Sequence, residues 1–212
     1  MMLSVDVISD VICPWCFIGK RRLEKAVAAL EGQRDVRVRW LPFQLNPQMP
    51  KEGISRKDYR TRKFGSWERS LELDAQVAAA GEADGIHFAF DRIERTPNTL
   101  DAHRLIWLAE KENCQDAVVE ALFQAYFTDG QDISNRQTLL DVVAQAGLNP
   151  SKAEIALTSA NGQEAVQEAD ELARRLRLQG VPFFVINDAV TLSGAQPPYA
   201  FLTALEQAIG SQ

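Results

Sequence analysis

Cys13-Pro14-Trp15-Cys16 stands between an alternating apolar segment and the first turn of a helical pattern, and few folds accommodate both neighbours. Leu3, Val5 and Val7 alternate, with Val11 and Ile12 following, which predicts a largely buried strand from Leu3 to Ser9. Pro14 suits a first helical turn, where its missing N–H costs no hydrogen bond. Ile18, Leu23, Val27 and Leu30 then recur at helical spacing, and Gly32 is the predicted stop. Val36, Val38 and Trp40 alternate with Arg37 and Arg39 and predict a second strand. Strand, helix and strand within about forty residues make a compact βαβ unit.

The segment Pro42-Phe43-Gln44-Leu45-Asn46-Pro47-Gln48-Met49-Pro50 holds three prolines and predicts an extended loop. A mainly helical stretch follows, from Ser55 to about Leu148. Ser55 caps a basic helix carrying Arg56, Lys57, Arg60, Arg62 and Lys63, read as a solvated face. Further helices are predicted over Glu68 to Ala80 (ending at Gly81), Thr99 to Glu112, Ala117 to Thr128, Asn135 to Ala146 and Ala153 to Thr158. Ile86 to Phe90 reads as a brief strand. Ala165, Val166, Ala169, Leu172, Ala173 and Leu176 form an apolar stripe on a helix closed by Gly180. Val181 to Ile186 and Val190 to Leu192 read as a hairpin about Asn187-Asp188, and Tyr199 to Ile209 as a last helix. The expected class is therefore α/β, a mixed sheet flanked by helices with a large inserted all-helical subdomain. Residues 1–50 supply the βαβ half, 51–160 the insertion and 161–212 an α-β-β-α half.

Composition narrows the function. Lys plus Arg total 23 against 29 for Asp plus Glu, a net charge of -6, which argues against a nucleic-acid binder. No apolar stretch reaches the length of a membrane span. The first residues lack a basic and then apolar leader, with Asp6 and Asp10 interrupting one, so a cytoplasmic location is expected. Three cysteines are too few for a disulfide scaffold, and two histidines give too few ligands for structural zinc, so no metal is expected. A monomer and a homodimer are both compatible with the sequence.

The Cys-x-x-Cys spacing places both sulfurs on one helical turn. Cys13 at the helix N-terminus meets unpaired N–H groups and a dipole that favour a thiolate, the form that attacks a disulfide. Cys16, one turn inside, is expected to be more buried and to resolve the mixed disulfide. Pro182 falls inside an apparent strand, which requires an edge position, a bulge or a cis bond. Trp15 or Phe17 beside the cysteines would supply an apolar surface for substrate. His103 reads as a hydrogen-bonded packing residue and Cys114 as an inert thiol.

These pieces resemble a known family. Cys13-Pro14-Trp15-Cys16, Gly180-Val181-Pro182-Phe183-Phe184, Ser193-Gly194-Ala195-Gln196, Pro42 to Pro47 and Thr96 to Leu105 together look like the DsbA-like thioredoxin superfamily, in its FrnE-like cytoplasmic branch. The resemblance implies a thioredoxin fold interrupted by helices. It implies a protein dithiol-disulfide oxidoreductase with Cys13 nucleophilic, Cys16 resolving and Pro182 a cis-proline facing them. Pro14, Trp15 and Val181 would contact substrate, a thiol- or disulfide-containing protein or peptide. No cofactor is implied beyond the cysteine pair, with glutathione as a reductant or ligand. Two departures stand out. The periplasmic oxidase has Pro-His between its cysteines, and the neutral Trp15 cannot stabilise a thiolate by charge. Thioredoxin-like proteins often carry a buried acid six residues before the first cysteine, where this chain has Val7, so Asp10 becomes the candidate proton acceptor. Glutathione-dependent isomerases and kappa-class transferases are similar around Asn98 and Ala102-His103. They generally have serine in place of Cys13, and retention of both sulfurs favours dithiol chemistry here. A peptide clamp without turnover is the third alternative.

Overall fold

The computed structural model describes residues 2–30, 34–176, 178 and 180–210. The expected helix stop at Gly32 lies outside the described residues. The chain runs β1 (Leu3–Ser9), α1 (Pro14–Ala28), β2 (Val36–Pro42), β3 (Ile54–Ser55), α2 (Arg56–Phe64) and α3 (Trp67–Glu82). It continues β4 (Arg95–Thr96), α4 (Leu100–Lys111), α5 (Gln115–Phe123), α6 (Arg136–Gln145), α7 (Pro150–Thr158) and α8 (Gln163–Arg175). The last elements are β5 (Phe183–Ile186), β6 (Val190–Ser193) and α9 (Pro198–Gly210).

The central sheet has the order β2-β1-β5-β6. β1 pairs parallel with β2, Leu3 opposite Val36 and Ser9 opposite Pro42. It pairs antiparallel with β5, Val7 opposite Phe184. The β5–β6 hairpin turns through Asn187 and Asp188, both at positive φ, a conformation that short polar side chains tolerate. The mixed sheet flanked by helices is thus the thioredoxin-like architecture the element order predicts. α9 packs on α1 and β6, while α4, α5 and α8 cover β2.

The inserted helices share an apolar core with the sheet. Phe17 on α1 stacks on Phe123 of α5 at 5.0 Å and meets Phe88 edge-on at 6.1 Å. Beside this contact Lys20 is buried, yet it reaches Asp116 at 3.0 Å and Glu120 at 3.2 Å on α5. A buried ammonium is tolerated only when it is paired in this way.

Several local expectations need correction. Ile86 to Phe90 is not a strand. Phe88 and Phe90 stack at 4.8 Å, and the Ala89 N–H goes to the Phe127 carbonyl, so the segment is held by aromatic packing and a lone backbone bond. A two-residue pairing of β3 with β4 occurs instead. α3 runs past Gly81 to Glu82 and starts at Trp67, capped by the Ser66 hydroxyl. The helix expected to reach Thr128 changes to π-helical geometry over Gln124–Thr128. On α8 the apolar stripe does not all face inward. Leu172 and Leu176 are exposed, and Asp170 is buried because it accepts the Gln44 N–H at 2.9 Å and pairs with Arg174.

Candidate active site

β1 ends in the buried Ser9 and Asp10, and the chain turns directly into α1. The Cys13 N–H donates to the Asp10 carbonyl at 3.0 Å, and the Cys13 carbonyl accepts the Cys16 N–H at 3.0 Å. Cys13 is thus the N-cap of α1, with Pro14 opening the first turn as expected. Both cysteines are free thiols, Cys13 6% exposed and Cys16 fully buried, so the outer sulfur is the one a substrate can reach first.

Burial pushes the Cys16 thiol well above its ordinary range, and the Cys13 sulfur beside it adds to the rise. The Ser9 hydroxyl and the Asp10 backbone N–H oppose this by hydrogen bonding to the Cys16 sulfur. The Asp10 carboxylate points elsewhere. One oxygen accepts the Leu45 N–H at 2.7 Å, and the other lies 3.3 Å from His103 Nε2. Asp10 is fully buried and His103 nearly so, which agrees with His103 as a hydrogen-bonded packing residue.

Opposite α1, the Val181–Pro182 peptide bond is cis. Pro182 immediately precedes β5 rather than lying within it. The Cys13 thiol donates to the Val181 carbonyl at 3.5 Å. The Pro182 carbonyl is already taken by the Gly194 N–H at 2.8 Å, where Gly194 sits at positive φ. Arg22 of α1 grips the Ala195 carbonyl at 2.6 Å, so the Ser193 to Gln196 turn braces this strand end against α1. Gly19 provides the clearance, since a Cβ there would stand 3.0 Å from Pro182 Cγ and 3.1 Å from Phe184 Cζ.

The other recurrent segments have structural tasks. Asn98 bonds the Met49 carbonyl at 2.6 Å and accepts the Leu100 N–H at 2.9 Å, fixing the entry to α4. Buried Arg104 holds the carbonyls of Ser159 at 2.6 Å and Asn161 at 3.1 Å, which fastens α4 to the turn before α8. Asp10 and Asp170 pin the loop after β2 through the N–H groups of Leu45 and Gln44.

A cavity of about 360 Å³ opens beside Cys13, between the start of α1 and the helices α2 and α3. Of the two aromatic candidates for an apolar surface beside the cysteines, Trp15 is 41% exposed at the cavity's edge and takes that place, whereas Phe17 is buried in the core. The basic run is also not a plain solvated face. Arg56 is buried, and it and Arg60 converge on Asp74 of α3 at 2.7 and 2.6 Å. Sequence reasoning missed these cavity residues, although Arg56, Arg60 and Lys63 recur at the spacing of one helical face. Cys114 is half-buried at the N-cap of α5, where burial and Glu112 push its thiol up and away from a reactive thiolate. Among the described residues no group of three or more His, Cys, Asp or Glu is placed to hold a metal ion, and no helix is long and apolar enough to cross a membrane.

Comparison with known proteins matches residues 4–206 to the model of the DSBA-like thioredoxin domain. The chain belongs to this family. The match takes in the strand before Cys13, the inserted helices, the cis peptide and most of α9. A crystal structure of a probable DsbA oxidoreductase from Streptomyces coelicolor is 32% identical, superposes with a TM-score of 0.91, and is covered to 91% of its length by 99% of this chain. The uncharacterized protein YwbO of Bacillus subtilis (strain 168) is 27% identical over 90% of each chain. The cytosolic disulfide reductase DsbM from Pseudomonas aeruginosa, solved with GSH, shares the fold at a TM-score of 0.65 and 20% identity, over 98% of this chain and 99% of that one. Membership of the DSBA-like thioredoxin family supports thiol-disulfide oxidoreductase chemistry for this chain.

Proposed function

We propose that this chain carries out dithiol-disulfide exchange on thiol- or disulfide-containing proteins and peptides, with Cys13 attacking and Cys16 resolving. The observation that carries this reading is the placement of the outer sulfur, Cys13 Sγ, 3.5 Å from the main-chain oxygen of Val181. An extended substrate strand laid along Val181 and Pro182 brings its own sulfur to Cys13 by main-chain contacts, with Pro14 and Trp15 as the facing surface.

In the reductive direction, the Cys13 thiolate attacks one sulfur of the substrate disulfide. A Cys13–substrate bond forms as the old S–S bond breaks, and the second substrate sulfur leaves with the electron pair. Cys16 loses its proton, displaces the first substrate sulfur and closes the Cys13–Cys16 disulfide. The Asp10 backbone beside Cys16 steadies the thiolate, and the departing substrate sulfur takes up the proton. Oxidation of substrate is the same sequence reversed. In a reducing cytoplasmic compartment a thiol such as glutathione returns the pair to the dithiol. A reduction potential near the thioredoxin value of about −270 mV makes the chain a reductase, and one near about −120 mV an oxidase.

Reduction of insulin disulfides tests the reading. Cys13→Ser abolishes it, and Cys16→Ser accumulates mixed disulfides with substrate. Wild-type rates in both variants would exclude dithiol exchange.

A further inference from the structure

The cavity beside Cys13 is not needed to hold an extended peptide on Val181, and its chemistry differs from that of a peptide groove. Its volume of about 360 Å³ falls in the range of small-molecule sites. Trp15 and Phe64 supply apolar wall, and Cys13 lines one end. Three cations, Arg56, Arg60 and Lys63, line it against the single carboxylate of Asp74. Asp74 is shared between the two guanidiniums. Lys63 gives its ammonium to the Tyr59 hydroxyl at 2.9 Å, and among the described residues it has no carboxylate partner. The lining therefore carries excess positive charge in a chain whose net charge is -6. Burial, with Arg56 alongside, pulls Arg60 below its ordinary range despite Asp74, so the cluster gains from a further anion.

We propose that this cavity is a subsite for small disulfides that carry an anionic group on an apolar, preferably aromatic, body. The proposal rests on the dithiol chemistry above and adds a low-molecular-mass substrate class to it. The anion faces Lys63 and Arg60, the apolar body lies against Trp15 and Phe64, and the disulfide meets Cys13. Cys13 bonds to the bound half as the other half leaves as a thiolate. Cys16 then displaces the bound half and closes the Cys13–Cys16 disulfide. The dithiol gives up two electrons and two protons, and the small disulfide becomes two thiols.

The test follows the reduced full-length protein by stopped flow with three probes. Dithiobis-nitrobenzoate is aromatic and anionic, dithiodipyridine is aromatic and uncharged, and glutathione disulfide is anionic without the apolar body. The expected result is saturation by the anionic aromatic probe. In Lys63→Gln the ratio of its rate to that of the uncharged probe falls by about fivefold, the scale of one partly exposed ion pair. Lys57→Gln, the same charge change on α2 but outside this cavity, leaves the ratio unaltered. An equal response to the two lysine variants, an unchanged ratio in Lys63→Gln, or tighter saturation by glutathione disulfide would overturn the subsite while leaving the dithiol chemistry standing. Failure of the reduced protein to react with any probe would overturn both.

Discussion

Asp10 Oδ1 lies 3.3 Å from His103 Nε2, and the two side chains are buried together. The contact joins the turn that presents Cys13 to α4 of the insertion. The second Asp10 oxygen holds the Leu45 N–H, so one carboxylate ties together three segments distant in sequence. The inserted helices therefore help to set the position of the cysteine turn.

Removing the imidazole leaves a buried carboxylate oxygen without its partner. His103→Leu is expected to destabilise the fold by about 2 kcal/mol, the scale of one unsatisfied buried acceptor. His103→Gln, which keeps a donor, should recover part of the loss. Urea unfolding measures both, and unchanged midpoints would show that the contact contributes little.

The raised Cys16 thiol sets the sign of two pH effects. Resolution needs the thiolate, so collapse of a Cys13-linked mixed disulfide should accelerate roughly tenfold per pH unit across the neutral range. Stability runs the other way. Native Cys16 holds its proton where the unfolded thiol, with a pKa of about 8.5, begins to lose it. That contribution is complete below about pH 8.5 and is lost as pH rises through the folded value. Reduced wild type should therefore lose more stability than Cys16→Ala between about pH 8 and about pH 10. Parallel stability curves would contradict the assignment.

Gly19 leaves room for Pro182 and Phe184, and a larger side chain must displace the strand end that carries Val181. Gly19→Val is expected to cost about 2 kcal/mol through overpacking. It should also slow peptide reduction more than reduction of a small uncharged disulfide. Equal rates on both would mean that Val181 does not position the peptide.

The sheet was readable in the sequence because its signals are local. Leu3, Val5 and Val7 alternate, and Val181 to Ile186 and Val190 to Leu192 flank a turn-forming Asn187-Asp188 pair. The helices were readable from periodicity and, at α2, from the Ser55 cap, whereas Asn149 caps a helix that starts at Pro150, ahead of the Ala153 expected. What stayed hidden depends on partners far away in the chain. Arg56 and Arg60 are masked as a solvated run until Asp74 is brought to them. Ile54 pairs with Thr96 over two-residue strands too short to show a period. On α8, Leu172 and Leu176 promise a buried stripe, but hydrophobicity along a helix does not say which face meets the core once Asp170 has inward partners. At Cys13 and Cys16 the spacing and the strand-to-helix junction were enough to single out both sulfurs. At Pro182 the sequence allows an edge, a bulge or a cis bond, and the resemblance points to the last.

Exchange by this route requires Cys13 to be the sulfur that attacks. Brief alkylation of the fully reduced protein at mildly acidic pH, followed by mass mapping of the adduct, tests this most directly. Cys13 lies at the surface end of the pair, Cys16 is fully buried with its thiol raised, and the half-buried Cys114 is raised as well. The predicted result is a single early adduct on Cys13, with Cys114 labelled slowly and Cys16 only after unfolding. Preferential labelling of Cys16 would reverse the two roles and exclude attack by Cys13.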